Sequence, residues 1–196
     1  MKLVLGSASP RRADLLAQIG IVAQAVRAAD IDETPLPGEL PRPHCARLAR
    51  EKALAIDLAA DEMVLCADTV VALGRRMLGK PRDRDQAADY LRRLSGRRHR
   101  VVTAVALRTA DRIRERESIT ILRMKRLETA EIDAYLDSDE WRGKAGGYAV
   151  QGLAARFVKT ISGSYSNVVG LPLFETGVML DGLGFAPRAM KDASHA

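Results

Sequence analysis

The spacing of apolar residues along this 196-residue chain changes repeatedly between the period of a strand and that of a helix. Continuous apolar runs bounded by polar turns predict buried strands, whereas alternation of polar and apolar residues predicts a strand with one face in solvent. The segment 112–127 alternates in this way, and we expect it to pair antiparallel with the long strand before it. The predicted strands are 2–5, 22–26, 63–73, 95–109, 112–127 and 155–164.

Helices are predicted between these strands from residues that favour helix ends and from apolar residues that share a face. The first helix has Ser9 as its N-cap, Pro10 in its first turn and Gly20 after its end. A Pro-rich acidic loop, 30–44, precedes the second helix. Strands mixed with helices predict an α/β fold with a mixed sheet. The predicted helices are 10–19, 45–60, 83–94, 129–138 with Thr129 as its cap, and one that begins at Pro172.

Asp68 is the only charged residue in the run MVLCADTVVAL, residues 63–73, which otherwise predicts a strand buried on both faces. An ionised carboxylate without a partner is costly in such a place. The carboxyl group avoids that cost by staying protonated, by pairing with a cation or by binding a metal ion. Lys52 and Lys80 are the candidate cations, and Glu33 in the acidic loop is a candidate second ligand for Mg²⁺. A purely structural ion pair is the alternative.

The segment SASPRR, residues 7–12, lies between the first strand and the first helix. A loop of small residues exposes backbone N–H groups, and the start of a helix adds partial positive charge. Arg11 and Arg12 place two cations in that first turn, where they oppose the helix dipole. A bound phosphate would remove the conflict, so the segment predicts an anion site. The alternative is a surface loop with two solvated arginines.

Four polar residues, two of them the candidate cations of Asp68, lie where a ligand could approach. Lys52 lies on an apolar face of the second predicted helix, and Lys80 and Lys144 are next to glycines, which allow close approach of a ligand. Gln151 has both a donor and an acceptor, as does the edge of a pyrimidine base. A hydrogen bond from Gln151 to the backbone is the alternative for that residue.

Composition excludes several classes of protein. With 29% charged residues and no apolar run near the ~18 residues that span a bilayer, the chain is not predicted to cross a membrane. The net charge of +6 could serve nucleic acid, but only 4% of residues are aromatic, which leaves few stacking platforms for single strands. The basic residues are also spread along the chain. An anionic small molecule explains the charge equally well.

The cysteines and the N-terminus predict the compartment. Cys45 and Cys66 form no CxxC pattern and are predicted to be small buried thiols rather than a disulfide or zinc site. The four-residue apolar run at the start is too short for a secretory signal, so we expect a cytoplasmic protein. The sequence also has no Walker A pattern, no dinucleotide GxGxxG after the first strand and no GxSxG elbow.

Five motifs together resemble one family. SASPRR, CADTVV, GKPRD, GKAGGYAVQG and GSYSNVVGLP occur here in the order found in Maf-like nucleoside triphosphate pyrophosphatases. The resemblance extends from about residue 3 to residue 183. It implies a two-lobed α/β fold of the Maf and inosine triphosphatase type, with a mixed sheet flanked by helices and a nucleotide-binding cleft between the lobes. We accordingly expect one domain over 1–186 and a flexible tail over 187–196.

The same resemblance implies an activity and a specificity. The family converts a nucleoside triphosphate to the monophosphate and pyrophosphate with a divalent cation, Mg²⁺ or Mn²⁺. The branch that acts on dTTP and UTP has Arg, Thr and Gln at three positions, which are Arg11, Thr69 and Gln151 here. The sister branch that acts on N7-methyl-GTP has Trp, Gln and Glu there. The resemblance also implies a homodimer.

Residue by residue, Asp68 matches the family's proton acceptor. The positions associated with phosphate or metal binding are Arg12, Glu33, Lys52 and Lys80. Whether Asp68 meets the attacking water directly or binds the metal stays open. Two rival hypotheses also remain, an N7-methyl-GTP pyrophosphatase and a non-enzymatic regulator of cell division that binds nucleotide or nucleic acid.

Overall fold

The computed structural model of the protein describes residues 1–185, which form a seven-stranded mixed sheet flanked by helices. The strands are β1 (Lys2–Leu5), β2 (Ala25–Val26), β3 (Glu62–Leu73), β4 (Arg76–Leu78), β5 (Arg98–Arg108), β6 (Ile113–Met124) and β7 (Val158–Ser162). The helices are α1 (Pro10–Gln18), α2 (Pro41–Ala55), α3 (Arg84–Leu94), α4 (Thr129–Asp137), α5 (Tyr165–Val169) and α6 (Leu173–Asp181). The tail predicted at 187–196 lies outside the described residues.

The sheet has the order β2-β1-β3-β5-β6-β7, with β4 paired to β3. β1 is parallel to β2 and β3, and every other pair is antiparallel, including the predicted pair β5 and β6. On one edge of β3, β1 pairs with residues 62–65 and β4 pairs with residues 71–73. The five residues between them, 66–70, therefore have no strand partner on that edge. This gap in the sheet positions the site described below.

Alternation along β3 sends successive side chains into different parts of the core. Ala67 packs on the face covered by α1 and α6, and Val70 packs on the face covered by α2. Val71 belongs to a separate cluster that α3 and α4 build beyond the gap. The long strand thus joins two packed regions, which fits the predicted two-lobed fold. As predicted, β3 is almost entirely buried, and β6 alternates buried and exposed residues from Ser118 onward.

Several elements differ from the prediction. α2 begins at Pro41, inside the segment assigned to the Pro-rich loop, because Pro41 and Pro43 lie in its first turn, where a missing N–H costs little. β2 covers only two residues of the predicted 22–26. The short strand β4 was not predicted, and it forms a tight hairpin with β3 around Gly74, whose φ is +64°.

Two helix starts also correct the sequence analysis. Ser9 is at the N-cap position of α1, but its side chain makes no capping hydrogen bond. At α4 the cap is Glu128, which forms a capping box with Glu131, and Thr129 is the first helical residue. A charged residue with a partner three positions later can thus take the capping role predicted for Thr129. No helix within residues 1–185 combines the length and the apolar character needed to span a membrane.

Candidate active site

The gap in the sheet opens into a cleft of about 470 Å³. One wall comes from the loop after β1, the start of α1 and the face of α2, and the other comes from the segment after β4 and the turns at 143–151. Asp68 and Thr69 of β3 lie on its floor. The predicted site residues all line this cleft: Arg11, Arg12, Glu33, Lys52, Asp68, Thr69, Lys80 and Gln151.

Asp68 is buried in the middle of β3, within the run that predicted a buried strand. Its Oδ1 atom accepts a hydrogen bond from Lys52 Nζ at 2.7 Å, and both side chains are only 11% exposed. The pairing arises because Asp68 points toward α2, and Lys52 lies on an apolar face of that helix. Within residues 1–185, the Oδ2 atom has no protein donor. Of the two candidate cations, Lys52 is therefore the partner, and one carboxylate oxygen is left for a ligand.

Glu33 reaches the same ammonium group from the loop between β2 and α2. Its Oε1 atom is 2.6 Å from Lys52 Nζ, and its side chain is 46% exposed at the mouth of the cleft. Burial alone would lower the pKa of Lys52, but the two carboxylates more than offset it, and the pKa is raised above its ordinary 10.5. Burial would raise the pKa of Glu33, yet the cations around it lower that pKa below 4.5. Both groups are thus held in their charged forms at neutral pH.

Arg12 is anchored across the cleft by three directed hydrogen bonds. Nε donates to the main-chain oxygen of Gly170 at 2.9 Å, Nη1 to Ser7 Oγ at 2.9 Å, and Nη2 to Thr69 Oγ1 at 3.4 Å. None of these acceptors is a carboxylate. Burial lowers the pKa of Arg12, and the charge of Asp68 opposes that effect only in part. The guanidinium is thus a cation in a fixed position that has no direct anionic partner among residues 1–185.

Three other cations line the cleft with little compensation. Burial lowers the pKa of Arg11, and burial together with the charge of Arg11 lowers the pKa of Lys144. Lys80 is exposed and forms no salt bridge within the described chain. Including Lys52 and Arg12, five formal cations face the two carboxylates of the cleft. The excess of positive charge is complementary to a polyanion such as a triphosphate.

Gln151 lines the cleft with its side chain exposed and bonded to no group among residues 1–185. The alternative of a Gln tied to the backbone is therefore wrong for this conformation. Thr69 is half-buried on the face of β3 opposite to Asp68, beside Arg12. The three residues predicted to select the base thus share one cavity, and their role in selection stays a prediction.

The residues fit a divalent cation. No group of three or more His, Cys, Asp or Glu side chains within residues 1–185 could by itself hold a metal ion. Mg²⁺, however, is commonly held by one or two carboxylates together with the phosphates of the substrate. Glu33 and Asp68 lie close together, since both contact Lys52 Nζ through one carboxylate oxygen, and each has a second oxygen that a cation could bind. The donor set thus matches Mg²⁺ or Mn²⁺ with a bound triphosphate and falls short of a protein-only metal site.

A layer of residues beneath the site was not predicted from the sequence. Residues 165–169, in the GSYSNVVGLP motif, form α5, and Asn167 in that helix is fully buried. Asn167 Nδ2 donates to the Val101 main-chain oxygen at 3.1 Å and to Thr120 Oγ1 at 2.8 Å. The main-chain oxygen of Asn167 accepts from Thr103, which contacts Thr69. A lone Asn before an apolar pair was the available indication.

His99, in the basic segment RRHR at 97–100, is buried with its Nε2 atom 2.7 Å from the hydroxyl of Tyr148. This residue therefore adds nothing to a basic surface. Cys45 and Cys66 are buried free thiols, as predicted. Cys45 Sγ donates to the main-chain oxygen of Asp68 at 2.9 Å, so one of them supports the strand at the site.

Comparison with known proteins identifies relatives of the whole described chain. The family model of the Maf-like proteins matches residues 2–183. A protein of Roseobacter denitrificans named dTTP/UTP pyrophosphatase is 60% identical over 182 residues, covering 93% of this chain and 97% of its own. Proteins with the same name from Cereibacter sphaeroides and Paramagnetospirillum magneticum are 58% and 59% identical, covering 94% of this chain and 96% and 98% of their own.

Similarity to solved structures is much weaker. The Ham1 protein of Staphylococcus aureus matches with a TM-score of 0.44 and 13% identity, covering 63% of this chain and 72% of that one. A similarity at this level carries no inference about function.

Proposed function

The chain belongs to the Maf-like protein family, and on that premise we propose that it hydrolyses dTTP and UTP to the monophosphate and pyrophosphate. The observation that carries the proposal is the cleft itself. A buried carboxylate, Asp68, lies beneath an excess of cations, which is the combination that hydrolysis of a polyphosphate anhydride requires. The matching names of the relatives support the substrate.

Asp68 is the proton acceptor in this proposal. Its Oδ1 atom is held by Lys52, whereas Oδ2 has no protein donor within residues 1–185 and can accept a hydrogen bond from water. As the oxygen of that water bonds to the α-phosphorus, its proton passes to the carboxylate. The bond from the α-phosphorus to the bridging oxygen breaks, and pyrophosphate leaves. The rigid position of Asp68 on a buried strand keeps the acceptor close to the reacting phosphorus.

The cations of the cleft bind and orient the triphosphate. Arg12 is fixed by its bonds to Gly170 and Ser7, so its guanidinium can neutralise phosphate charge without prior reorganisation. Lys80 and Lys144 come from the opposite wall and can close on the same chain of phosphates. Glu33 and Asp68 would hold a divalent cation, which when bound neutralises phosphate oxygens and assists departure of pyrophosphate.

Arg11, Thr69 and Gln151 are assigned to base selection. A side-chain amide and a hydroxyl can bond to the alternating donors and acceptors of a uracil or thymine edge. Hydrolysis of surplus or modified pyrimidine triphosphates would clean the nucleotide pool. A homodimer stays a prediction, which light scattering of the purified protein can test.

The test is pyrophosphate release across a panel of canonical and N7-methylated triphosphates with Mg²⁺ or Mn²⁺. We expect dTTP and UTP to have the highest kcat/KM values. Fast hydrolysis of N7-methyl-GTP with negligible turnover of dTTP and UTP would move the chain to the sister specificity. Nucleic-acid binding without hydrolysis of any triphosphate would favour the regulator instead. A variant with Asp68→Asn separates this activity from that of a contaminating phosphatase.

A further inference from the structure

A chain of hydroxyl groups runs from the cleft into the core. Thr69 of β3 and Thr103 of β5 are direct cross-strand neighbours, and their Oγ1 atoms are 3.0 Å apart. Thr103 Oγ1 is also 3.0 Å from the main-chain oxygen of Asn167 in α5. Thr103 and Asn167 are fully buried, whereas Thr69 reaches the cleft. The direction of each hydrogen bond in this row of hydroxyl groups follows from which atoms can donate and which can only accept.

The carbonyl oxygen of Asn167 can only accept, so Thr103 must donate its single hydroxyl hydrogen to it. This carbonyl has no competing donor in the backbone near it, because the N–H groups of Gly170 and Leu171 both bond to Ser166. If Thr103 turned its hydrogen elsewhere, a buried carbonyl at the end of a short helix would lose its partner. The hydrogen of Thr103 is therefore committed to α5.

Thr69 must then be the donor in its contact with Thr103. Its one hydrogen points down into the core, and only the lone pairs of its oxygen face the cleft. Arg12 Nη2 lies 3.4 Å from that oxygen, a long contact that is consistent with an acceptor. A hydroxyl that rotates freely could either donate or accept. This one is fixed as an acceptor by a residue that does not line the cleft.

We infer that Thr103 is a positioning residue that makes Thr69 an obligate hydrogen-bond acceptor, and that the cleft thereby favours bases that present an N–H group at N3 of the ring. Uracil and thymine carry a hydrogen on N3, whereas cytosine has a bare lone pair at that atom. The inference deepens the proposed function and rests on it. It predicts a preference for UTP over CTP that depends on Thr103, a residue without direct contact to the base.

The experiment compares kcat/KM for UTP and CTP in four proteins, the wild type and the variants Thr103→Val, Thr103→Ser and Thr120→Val. Thr103→Val keeps the volume but frees the hydrogen of Thr69, so we expect the ratio of UTP to CTP to fall about fivefold or more. Thr103→Ser keeps the hydroxyl and should keep the ratio. Thr120→Val is the matched control, because Thr120 is a buried Thr that donates to the Ser164 carbonyl and accepts from the Asn167 side chain, so this variant disturbs the same helix without a contact to Thr69.

The control should lower stability while leaving the ratio within twofold of the wild type. An unchanged ratio in Thr103→Val would overturn the inference, as would an equal fall in Thr120→Val. Should Thr103→Val fail to fold, Thr69→Val provides the second test, because removing the acceptor must reduce kcat/KM for UTP more than for CTP. A wild type that hydrolyses neither substrate would instead overturn the proposed function.

Discussion

Replacement of Lys52 by Met would remove the ammonium group that Asp68 and Glu33 share and keep most of the side-chain volume. Glu33 is 46% exposed and can turn to water, but Asp68 is 11% exposed and would remain as a buried carboxylate with an unpaired Oδ1. Breaking a buried pair in this way costs ~3–5 kcal/mol. The low end applies here because the Arg12 charge acts on Asp68 from nearby.

A loss of ~3 kcal/mol corresponds to a fall in Tm of about 6 °C or more for a chain of this size. Calorimetry at pH 7 and urea denaturation measure it. The matched control is Arg50→Met, which removes an ion pair from the same helix, 3.0 Å from Glu115 but about half exposed, and should cost only ~0–1 kcal/mol. The double variant Lys52→Met/Asp68→Asn should recover most of the lost stability, because no buried charge is left unpaired.

The raised pKa of Lys52 sets the pH range in which Lys52→Met is less stable than the wild type. A group whose folded pKa is raised contributes stability below its ordinary pKa, 10.5, and loses it as the pH rises through the folded value. The difference between wild type and Lys52→Met should therefore be constant near neutrality and shrink only above about pH 10.5. A Lys52→Met variant as stable as the wild type, or one no less stable than Arg50→Met, would refute the argument that Asp68 depends on this cation.

Three further predictions concern other parts of the molecule. Arg12→Lys keeps the charge but loses the directed hydrogen bonds that only a guanidinium makes, so kcat/KM for UTP should fall about tenfold or more. A loss under twofold would show that those hydrogen bonds do not matter for catalysis. Gly6→Ala adds a Cβ atom that would overlap Cys66 Sγ, so urea denaturation should show that the free energy of unfolding falls by ~1–3 kcal/mol. Adding Cys66→Ala should restore part of this loss. No restoration would contradict the assignment of the loss to this overlap. Arg27 lowers the pKa of Glu62 from 4.5 to about 2, so this carboxylate contributes stability above pH 4.5 and loses it as the pH falls toward 2. Thermal scans of Glu62→Gln should thus show a shallower loss of stability over that range than the wild type, and equal slopes would contradict the linkage.

Local patterns predicted most of the elements because apolar periodicity and helix ends are properties of neighbouring residues. The buried strand around Asp68 and the antiparallel pair β5 and β6 are confirmed. α2 begins four residues before its predicted start, because prolines are typical of loops although the first turn of a helix also accepts them. The cap of α4 was placed one residue late for a similar reason, since Glu can cap when a capping box forms.

The site could be predicted only as far as its single residues. The pattern on α2 placed Lys52 on an inward face, but the choice between Lys52 and Lys80 as partner of Asp68 depended on how the helix docks on the sheet. The pairing of Thr103 with Asn167 joins residues 64 positions apart, and no local pattern encodes it. A threonine in a strand is common in protein cores, so the sequence does not indicate which partner its hydroxyl group bonds to. The folded structure is needed for that.

In the proposed function, Asp68 activates a water for attack on the α-phosphorus of UTP. Hydrolysis of UTP in ¹⁸O-water, with mass spectrometry of both products from the wild type and from Asp68→Asn, tests it most directly. We expect the wild type to place the label in UMP and none in pyrophosphate, and Asp68→Asn to slow the reaction about 100-fold or more. Label in pyrophosphate, or a rate undiminished in Asp68→Asn, would contradict the account.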